Sequence, residues 1–239
     1  MTFDTLRSLA DRAALFAALR QDQLIGAVDD LGEHRWSVDL AADLFTFAAE
    51  ADPSRTLQAT PHLIASIAPG PRSLMWAWAL PEQYDVTTAE RLRAYGEQHG
   101  IAELSESEVP FEDGTAEDTA SAIMDLAHIV GGAATEITGL SPYYIANIGD
   151  SRAVMLLESP LPPLSVAVAV TALPRVLSGL TMQDPRASVW DLARLAGWRL
   201  EWSDEAFSAA VVSDATGTAT FRFDEQARIA GIESTLTGA

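Results

Sequence analysis

The chain has 239 residues, of which 34 are aspartate or glutamate and 15 are arginine, and its formal net charge is −19. It contains neither cysteine nor lysine, which excludes disulfides, thiol nucleophiles, thiolate metal sites, Schiff-base lysines and phosphate-binding lysines. A strongly acidic chain is not expected to bind nucleic acid or an anionic membrane, because both partners require basic patches.

The first predicted element is an amphipathic helix at residues 4–24, where apolar residues recur every three or four positions and Asp4 is the expected cap. No basic segment precedes an apolar run here, so no signal peptide is predicted and the expected compartment is the cytoplasm. The most apolar stretch, residues 161–173, is interrupted by Pro162 and Pro163 and is shorter than a membrane-spanning helix.

An antiparallel meander is predicted next. Trp36, Val38 and Leu40 alternate with polar residues, which is typical of a half-buried strand. Further strands, separated by turns that contain proline, are predicted at 43–49, 56–67 and 72–79.

The chain then returns to helical spacing. A helix is predicted at residues 87–99, with Thr87 or Thr88 as its cap and Gly100 as its stop. A short strand is expected near residues 101–109, before an acidic surface stretch.

A third helix and a hairpin complete the first predicted lobe. The helix is predicted from Ala116 to Gly131, where a glycine pair should end it, and His128 falls on its apolar stripe as a core residue. Strands at 143–148 and 153–157 are predicted to form a hairpin that turns at Gly149 and Asp150.

A proline-rich connector at residues 159–163 marks the predicted domain boundary. The first domain is predicted at 1–158 and the second at 164–239, with one or two helices followed by four short strands. The predicted fold class is therefore α+β, with two lobes in which an antiparallel meander packs against helices.

An internal duplication is one explanation of a short match between the lobes. Residues 36–45 and 198–207 share an aromatic residue at both ends, apolar residues at the second and fourth steps and acids at the third and seventh. Any amphipathic hairpin that begins with tryptophan gives a similar pattern, so both explanations stay open.

Two motifs in the first lobe resemble a bacterial family known only as a domain of unknown function. A W-x-W-A motif at Trp76–Ala79 precedes a Y-G-x-x-H-G-I motif at Tyr95–Ile101, and the resemblance covers about residues 36–158. Leu80 stands where the family has asparagine. The resemblance implies a fold but no reaction, since the family has no established activity.

A second motif, G-D-S-R at Gly149–Arg152, is similar to a strand turn of metal-dependent serine/threonine phosphatases. That resemblance implies metal-bound carboxylates from an upstream D-G-x-x-G motif, but Asp113–Gly114 lacks the second glycine. A hairpin turn also favours Gly-Asp, so the turn alone explains the match.

A ligand-binding site is predicted around five residues: Trp76, Trp78, Tyr95, Glu97 and His99. The two tryptophans are expected to share a strand face, either as core or as an apolar platform with Tyr95 beside it. His99 at a helix C-terminus is expected to act as a cap, and Glu97 points elsewhere on the helix. None of the histidines has zinc-site spacing, and the sequence has no G-x-S-x-G or G-x-G-x-x-G motif, so no metal, cofactor or catalytic residue is predicted.

Eight acids and no arginine lie between Glu97 and Asp118. Such a run is a solvated face or a surface that meets a basic partner. The sequence therefore predicts a non-catalytic, immunity-like binding protein for a basic protein or a small apolar ligand. The alternative is a metal-dependent hydrolase or phosphatase whose site forms only in three dimensions.

Overall fold

The computed structural model describes residues 3–80, 85–111 and 116–237. This part of the chain forms six α-helices, one 3₁₀ turn and eleven strands in two antiparallel sheets, so the predicted α+β class is confirmed. Two compact units are distinguished by their internal contacts, unit 1 with residues 3–10 and 24–160 and unit 2 with residues 11–23 and 161–237. None of the helices described here is long and apolar enough to cross a membrane.

The first helix, α1, spans Asp4–Asp29 and so extends past its predicted end. Asp4 is not the cap that was predicted: the capping position is Phe3, which has a φ of 48°. Asp4 lies in the first turn instead, where a carboxylate interacts favourably with the positive end of the helix dipole.

Residues on more than one face of α1 are buried. Leu6 and Leu9 belong to the core of unit 1, whereas Leu15, Phe16 and Leu19 belong to the core of unit 2. Two of these residues, Leu15 and Leu19, lie outside the predicted apolar stripe, because a single stripe assumes that a helix packs on one side only.

Seven strands of unit 1 form one antiparallel sheet. They are β1 (His34–Asp39), β2 (Leu44–Ala49), β3 (Thr56–Ala68), β4 (Ser73–Trp76), β5 (Glu108–Pro110), β6 (Tyr143–Ile148) and β7 (Ser151–Glu158). The first five pair in chain order, and β7 pairs with both β3 and β6. The predicted meander is confirmed, as is the hairpin that turns at Gly149, whose φ is 58°.

Rings from three of these strands meet on one face of the sheet. Trp36 on β1 stacks on Phe45 of β2 with ring centroids 5.8 Å apart, and Tyr144 of β6 lies 4.9 Å from Phe45. Phe45 is fully buried, and burial also raises the pKa of the Tyr144 phenol. The sheet must therefore curl to bring β2 close to β6.

Strand β4 ends at Trp76, and Ala77–Ala79 forms a 3₁₀ turn. The expectation that Trp76 and Trp78 share a strand face is therefore wrong. Pairing with both neighbouring strands ends here, since β5 pairs with Ser73–Met75 and β3 with Ser73–Trp76.

The helix predicted at 87–99 is confirmed as α2 (Thr87–His99), with Gly100 in the left-handed conformation at its end. Its predicted cap is wrong, since the Asp85 carboxylate accepts the Thr87 backbone N–H at 2.9 Å. The strand expected at 101–109 is also wrong at its start, where Ala102–Ser105 forms a helical turn, α3, that buries Leu104.

Helix α4 spans Ala116–Thr138 and runs through the glycine pair that was predicted to end it. A Cβ on Gly131 would lie 2.6 Å from the ring of Tyr143, and one on Gly132 would lie 2.9 Å from the Cβ of Ala10. Close packing therefore requires these glycines. His128 is exposed, not a core residue as predicted, and its Nδ1 lies 2.9 Å from the Tyr143 hydroxyl.

Two helices and four strands form unit 2 together with residues 11–23 of α1. They are α5 (Val166–Ser178), α6 (Pro185–Ala196), β8 (Arg199–Trp202), β9 (Ala209–Asp214), β10 (Gly217–Phe223) and β11 (Ile229–Leu236). The four strands form an antiparallel sheet in the order β11-β10-β9-β8. The predicted domain boundaries stay predictions.

The segments compared as a duplication differ in structure at their matched positions. Trp36 lies within β1, whereas Trp198 precedes β8. Phe45 is buried in β2, whereas Phe207 lies in the loop after β8 with 46% of its surface exposed. The match between the segments thus does not extend to burial.

A buried charge organises unit 2. The carboxylate of Asp191 on α6 is fully buried and accepts hydrogen bonds from Nε of Arg12 and Nε of Arg194, each at 2.7 Å. One turn earlier, the buried Ser188 hydroxyl accepts the backbone N–H of Leu15 at 3.2 Å. Residues 11–23 are thereby tied to α6 by polar as well as apolar contacts.

Candidate functional site

Trp76, the first residue of the predicted site, is part of the core of unit 1. Its side chain is fully buried, and its Nε1 donates a hydrogen bond to the Glu103 carbonyl oxygen at 2.7 Å. This bond joins the end of β4 to α3. A side chain in this position supports the fold.

Trp78 is partly buried, packs against the same core and also contacts α2. The Arg93 guanidinium lies 4.9 Å from the centroid of the Trp78 ring, which is a cation–π contact. Nε of Arg93 in turn donates to Glu97 at 2.9 Å. Nε1 of Trp78 is buried and finds no hydrogen-bond partner among the described residues.

Tyr95 and His99 form a separate pair one helical turn apart. Their rings are 4.2 Å apart and tilted by 35°. Glu97 pairs with Arg93 on a different side of the helix, in agreement with the expected divergence of Glu97 and His99. The five predicted residues therefore fall into three places. Trp76 is in the core, Trp78 and Glu97 are linked through Arg93, and Tyr95 and His99 form a tilted ring pair. Their role in ligand binding stays a prediction.

A polar grouping that the sequence analysis missed lies at the start of α2. The Thr88 hydroxyl oxygen lies 3.1 Å from Nδ1 of His62 on β3, and Nε2 of the same ring lies 3.4 Å from Oε2 of Glu158. The latter pair is not aligned as a hydrogen bond, and Nε2 has no hydrogen-bond partner among the described residues. Hydrogen bonds from Thr87 lower the pKa of the nearby Asp85, with a smaller contribution from His62.

The acidic segment is described only in part. Glu103, Glu106 and Glu108 lie on or beside α3 and β5, and Glu106 and Glu108 are exposed. Glu108 accepts a hydrogen bond from the Ser73 hydroxyl, whereas Glu103 and Glu106 form no ion pair with the described residues. The side chains of Glu112, Asp113, Glu117 and Asp118 lie outside the described part of the chain.

The arginines of the chain neutralise only some of its acidic side chains. At least eight of the fifteen arginines form ion pairs within the chain, and the partners include exposed acids such as Glu50, Glu97 and Glu233. Because acids outnumber arginines by more than two to one, many carboxylates have no cation to pair with. The surface therefore carries a negative field that attracts cationic partners.

A surface depression in unit 2 offers an apolar lining. It encloses about 410 Å³ between α5 and the end of β11. The residues that line it are Asp22, Ala167, Val168, Thr171, Ala172, Arg175 and Leu236. Asp22 and Arg175 form an ion pair at 2.7 Å, so the polar groups of this depression already satisfy each other.

Across the described residues, no group of three or more histidines, aspartates or glutamates is arranged to hold a metal ion. The G-D-S-R motif occupies the β6–β7 turn, as the turn explanation requires. The Asp113–Gly114 segment that was weighed against the phosphatase pattern lies outside the described residues.

A family model described as a family of unknown function, DUF6882, matches residues 7–160. No curated protein and no solved structure matches the chain. The predicted resemblance to a family of unknown function is thus confirmed, and the match begins earlier than the predicted segment 36–158. The two quoted motifs as markers of the family, and its bacterial origin, stay predictions.

Proposed function

The chain belongs to DUF6882, a family of unknown function, and because membership implies no reaction, we propose from its own surface that it is a non-catalytic protein that binds a basic protein partner. An immunity-like role, in which the partner is neutralised by being bound, suits such a surface. We also propose the cytoplasm as the compartment of this function.

The observation that carries the proposal is the acidic segment of unit 1. Glu103 and Glu106 have no ion-pair partner among the described residues, and the segment from Glu97 to Asp118 contains no arginine. Unpaired carboxylates on one segment attract a cationic surface over about 10 Å at moderate salt and increase its association rate.

The strand β5 supports the same proposal through its place in the sheet. It lies at the edge of the strand order, so its outer backbone groups have no neighbouring strand in the described sheet. Glu108 on this edge strand discourages pairing with another copy of the chain. The same charge favours a partner that carries arginine or lysine.

Binding can be measured by fluorescence anisotropy with a labelled nine-residue arginine peptide. We expect the protein to bind the peptide at 20 mM salt and to lose about tenfold or more in affinity at 300 mM. Replacing Glu103 and Glu106 together with glutamine is expected to weaken binding about threefold to tenfold, because two unpaired charges are lost.

The matched control replaces two exposed acids elsewhere in unit 1, Glu33 with glutamine and Asp150 with asparagine. This control removes the same charge and is expected to weaken binding less than twofold. Equal losses in the two double variants would show that the whole surface acts diffusely and would remove the acidic segment from the proposal. Absence of any binding at 20 mM salt would overturn the proposed function itself.

The alternative function, hydrolysis, is favoured by one observation, the convergence of His62 with the Thr88 hydroxyl and the Glu158 carboxylate. If the protein turns over generic phosphatase or esterase substrates with added Mg²⁺ or Mn²⁺, His62→Gln is expected to remove at least about 90% of that activity. His34→Gln, at an exposed histidine on β1, is the matched control and is expected to leave the rate unchanged. Turnover that survives in His62→Gln would dismiss this grouping as a catalytic site.

A further inference from the structure

Three aromatic rings cluster where two hairpins of unit 2 end. Trp202 at the end of β8 and Phe207 in the following loop have ring centroids 5.1 Å apart in an edge-to-face arrangement. Phe223 at the end of β10 lies 6.1 Å from Trp202. We call these three residues the Phe207 cluster.

The cluster lies at the rim of the unit 2 core and reaches the surface. Trp202 and Phe223 are partly buried and pack against that core, whereas 46% of the surface of Phe207 is exposed. The backbone N–H of Phe223 donates to the Ser208 carbonyl oxygen at 2.9 Å, which fixes the Phe207 loop beside β10. A ring that is already held in place loses little conformational freedom when a partner contacts it.

Acids border the cluster on both hairpins. Asp204 in the Phe207 loop accepts hydrogen bonds from Ser208 and Ala206, and Asp224 in the next turn accepts them from Arg228 and Gln226. Glu205 and Glu225, which follow these two aspartates in sequence, are exposed and form no hydrogen bond or ion pair with the described residues. Two arginines also lie here, Arg186 over the Phe223 ring and Arg228 on Asp224, so four acids face two cations and the formal charge beside the rings is negative.

Aromatic faces of this chain already receive guanidinium groups. Arg186 lies 5.7 Å from the centroid of Phe223 within the cluster itself, and Arg194 lies 5.8 Å from that of Trp190. A guanidinium over an aromatic ring is stabilised by the negative face of the ring, and a nearby carboxylate adds a second attraction. Phe207 and the two unpaired glutamates offer this combination to a cation from outside the chain.

We propose that the Phe207 cluster with Glu205 and Glu225 is a second docking surface, which binds an arginine side chain of a basic protein partner. This surface lies in unit 2, beyond the residues 7–160 that the family model covers. The docking proposal takes its class of partner, a basic protein, from the proposed function. It does not depend on the acidic segment of unit 1. The charge of the site selects a cation, and the rings select one that can stack.

The test is an NMR titration of the full chain with N-acetylarginine amide, read from the indole N–H signals of the six tryptophans. We expect the Trp202 signal, assigned by its loss in Trp202→Phe, to shift progressively while the signal of the buried Trp76 stays in place. N-acetylcitrulline amide has a similar shape but no charge, and it is expected to shift the Trp202 signal at least about fivefold less.

Two sets of variants locate the binding. Phe207→Ala is expected to weaken the titration about threefold to tenfold, and Glu205→Gln with Glu225→Gln to weaken it by about threefold. The control pair Glu33→Gln with Asp150→Asn should leave it unchanged.

An unshifted Trp202 signal, an equal response to citrulline, or a titration unchanged by Phe207→Ala would each overturn the docking surface. None of these results depends on Glu103 or Glu106, so failure here is distinguishable from failure of the proposed function. If the arginine peptide binds but the Trp202 signal does not move, the proposal of a basic partner is kept and the Phe207 cluster is rejected as its binding site.

Discussion

Replacing Trp76 with alanine is expected to lower the free energy of unfolding by about 3–5 kcal/mol, because the largest fully buried side chain of unit 1 is removed and a cavity is left. The variant also deprives the Glu103 carbonyl oxygen of its hydrogen-bond donor. Urea denaturation followed by far-UV circular dichroism measures the change.

Two further variants separate the causes. Trp76→Phe keeps an aromatic ring but loses the indole N–H, and we expect a loss of about 1–3 kcal/mol. The adjacent Met75 is 37% exposed, and Met75→Ala should change stability by less than about 1 kcal/mol. If Trp76→Ala were as stable as Met75→Ala, Trp76 would not be part of the scaffold and its assignment to the core would fail.

Replacing Asp191 with alanine is expected to cost about 2–4 kcal/mol of stability. The fully buried carboxylate accepts hydrogen bonds from both Arg12 and Arg194, so the variant loses two charge-assisted hydrogen bonds. The side chains of Arg12 and Arg194 are 43% and 39% exposed, so water solvates part of their charge once the carboxylate is removed.

The control for Asp191 is the Asp22–Arg175 pair in the same unit. It joins the same residue types at the same distance of 2.7 Å, but the Arg175 side chain is 70% exposed. Asp22→Ala is therefore expected to cost no more than about 1 kcal/mol in the same urea experiment. Equal losses in the two variants would show that burial of Asp191 does not govern its energetic role.

Local patterns were sufficient to predict most of the helices and strands. Alternation at Trp36 and Val38, the turn at Gly149 and the stop at Gly100 are signals that depend on neighbouring residues only. Errors arose where a residue type serves two purposes. Glycines 131 and 132 were interpreted as a helix stop, but tertiary packing requires them inside α4.

The candidate site was less predictable, because its residues lie on separate elements of the fold. His62, Thr88 and Glu158 come from three elements that meet only when β3, β7 and α2 pack, and no spacing in the sequence indicates that meeting. Trp76 and Trp78 were predicted to share a face because a regular strand places them there. The regular strand ends at Trp76, and Trp78 lies in the 3₁₀ turn that follows.

The membership of α1 in both cores limits how the chain can be divided. A gene segment encoding only residues 161–237 would lack Leu15, Phe16 and Leu19, which belong to the unit 2 core, and also Arg12, which pairs with Asp191. Recombination at the proline-rich connector would therefore separate unit 2 from part of its own interior. In evolution, we expect unit 2 to be inherited together with the N-terminal helix and not as a separate gene segment.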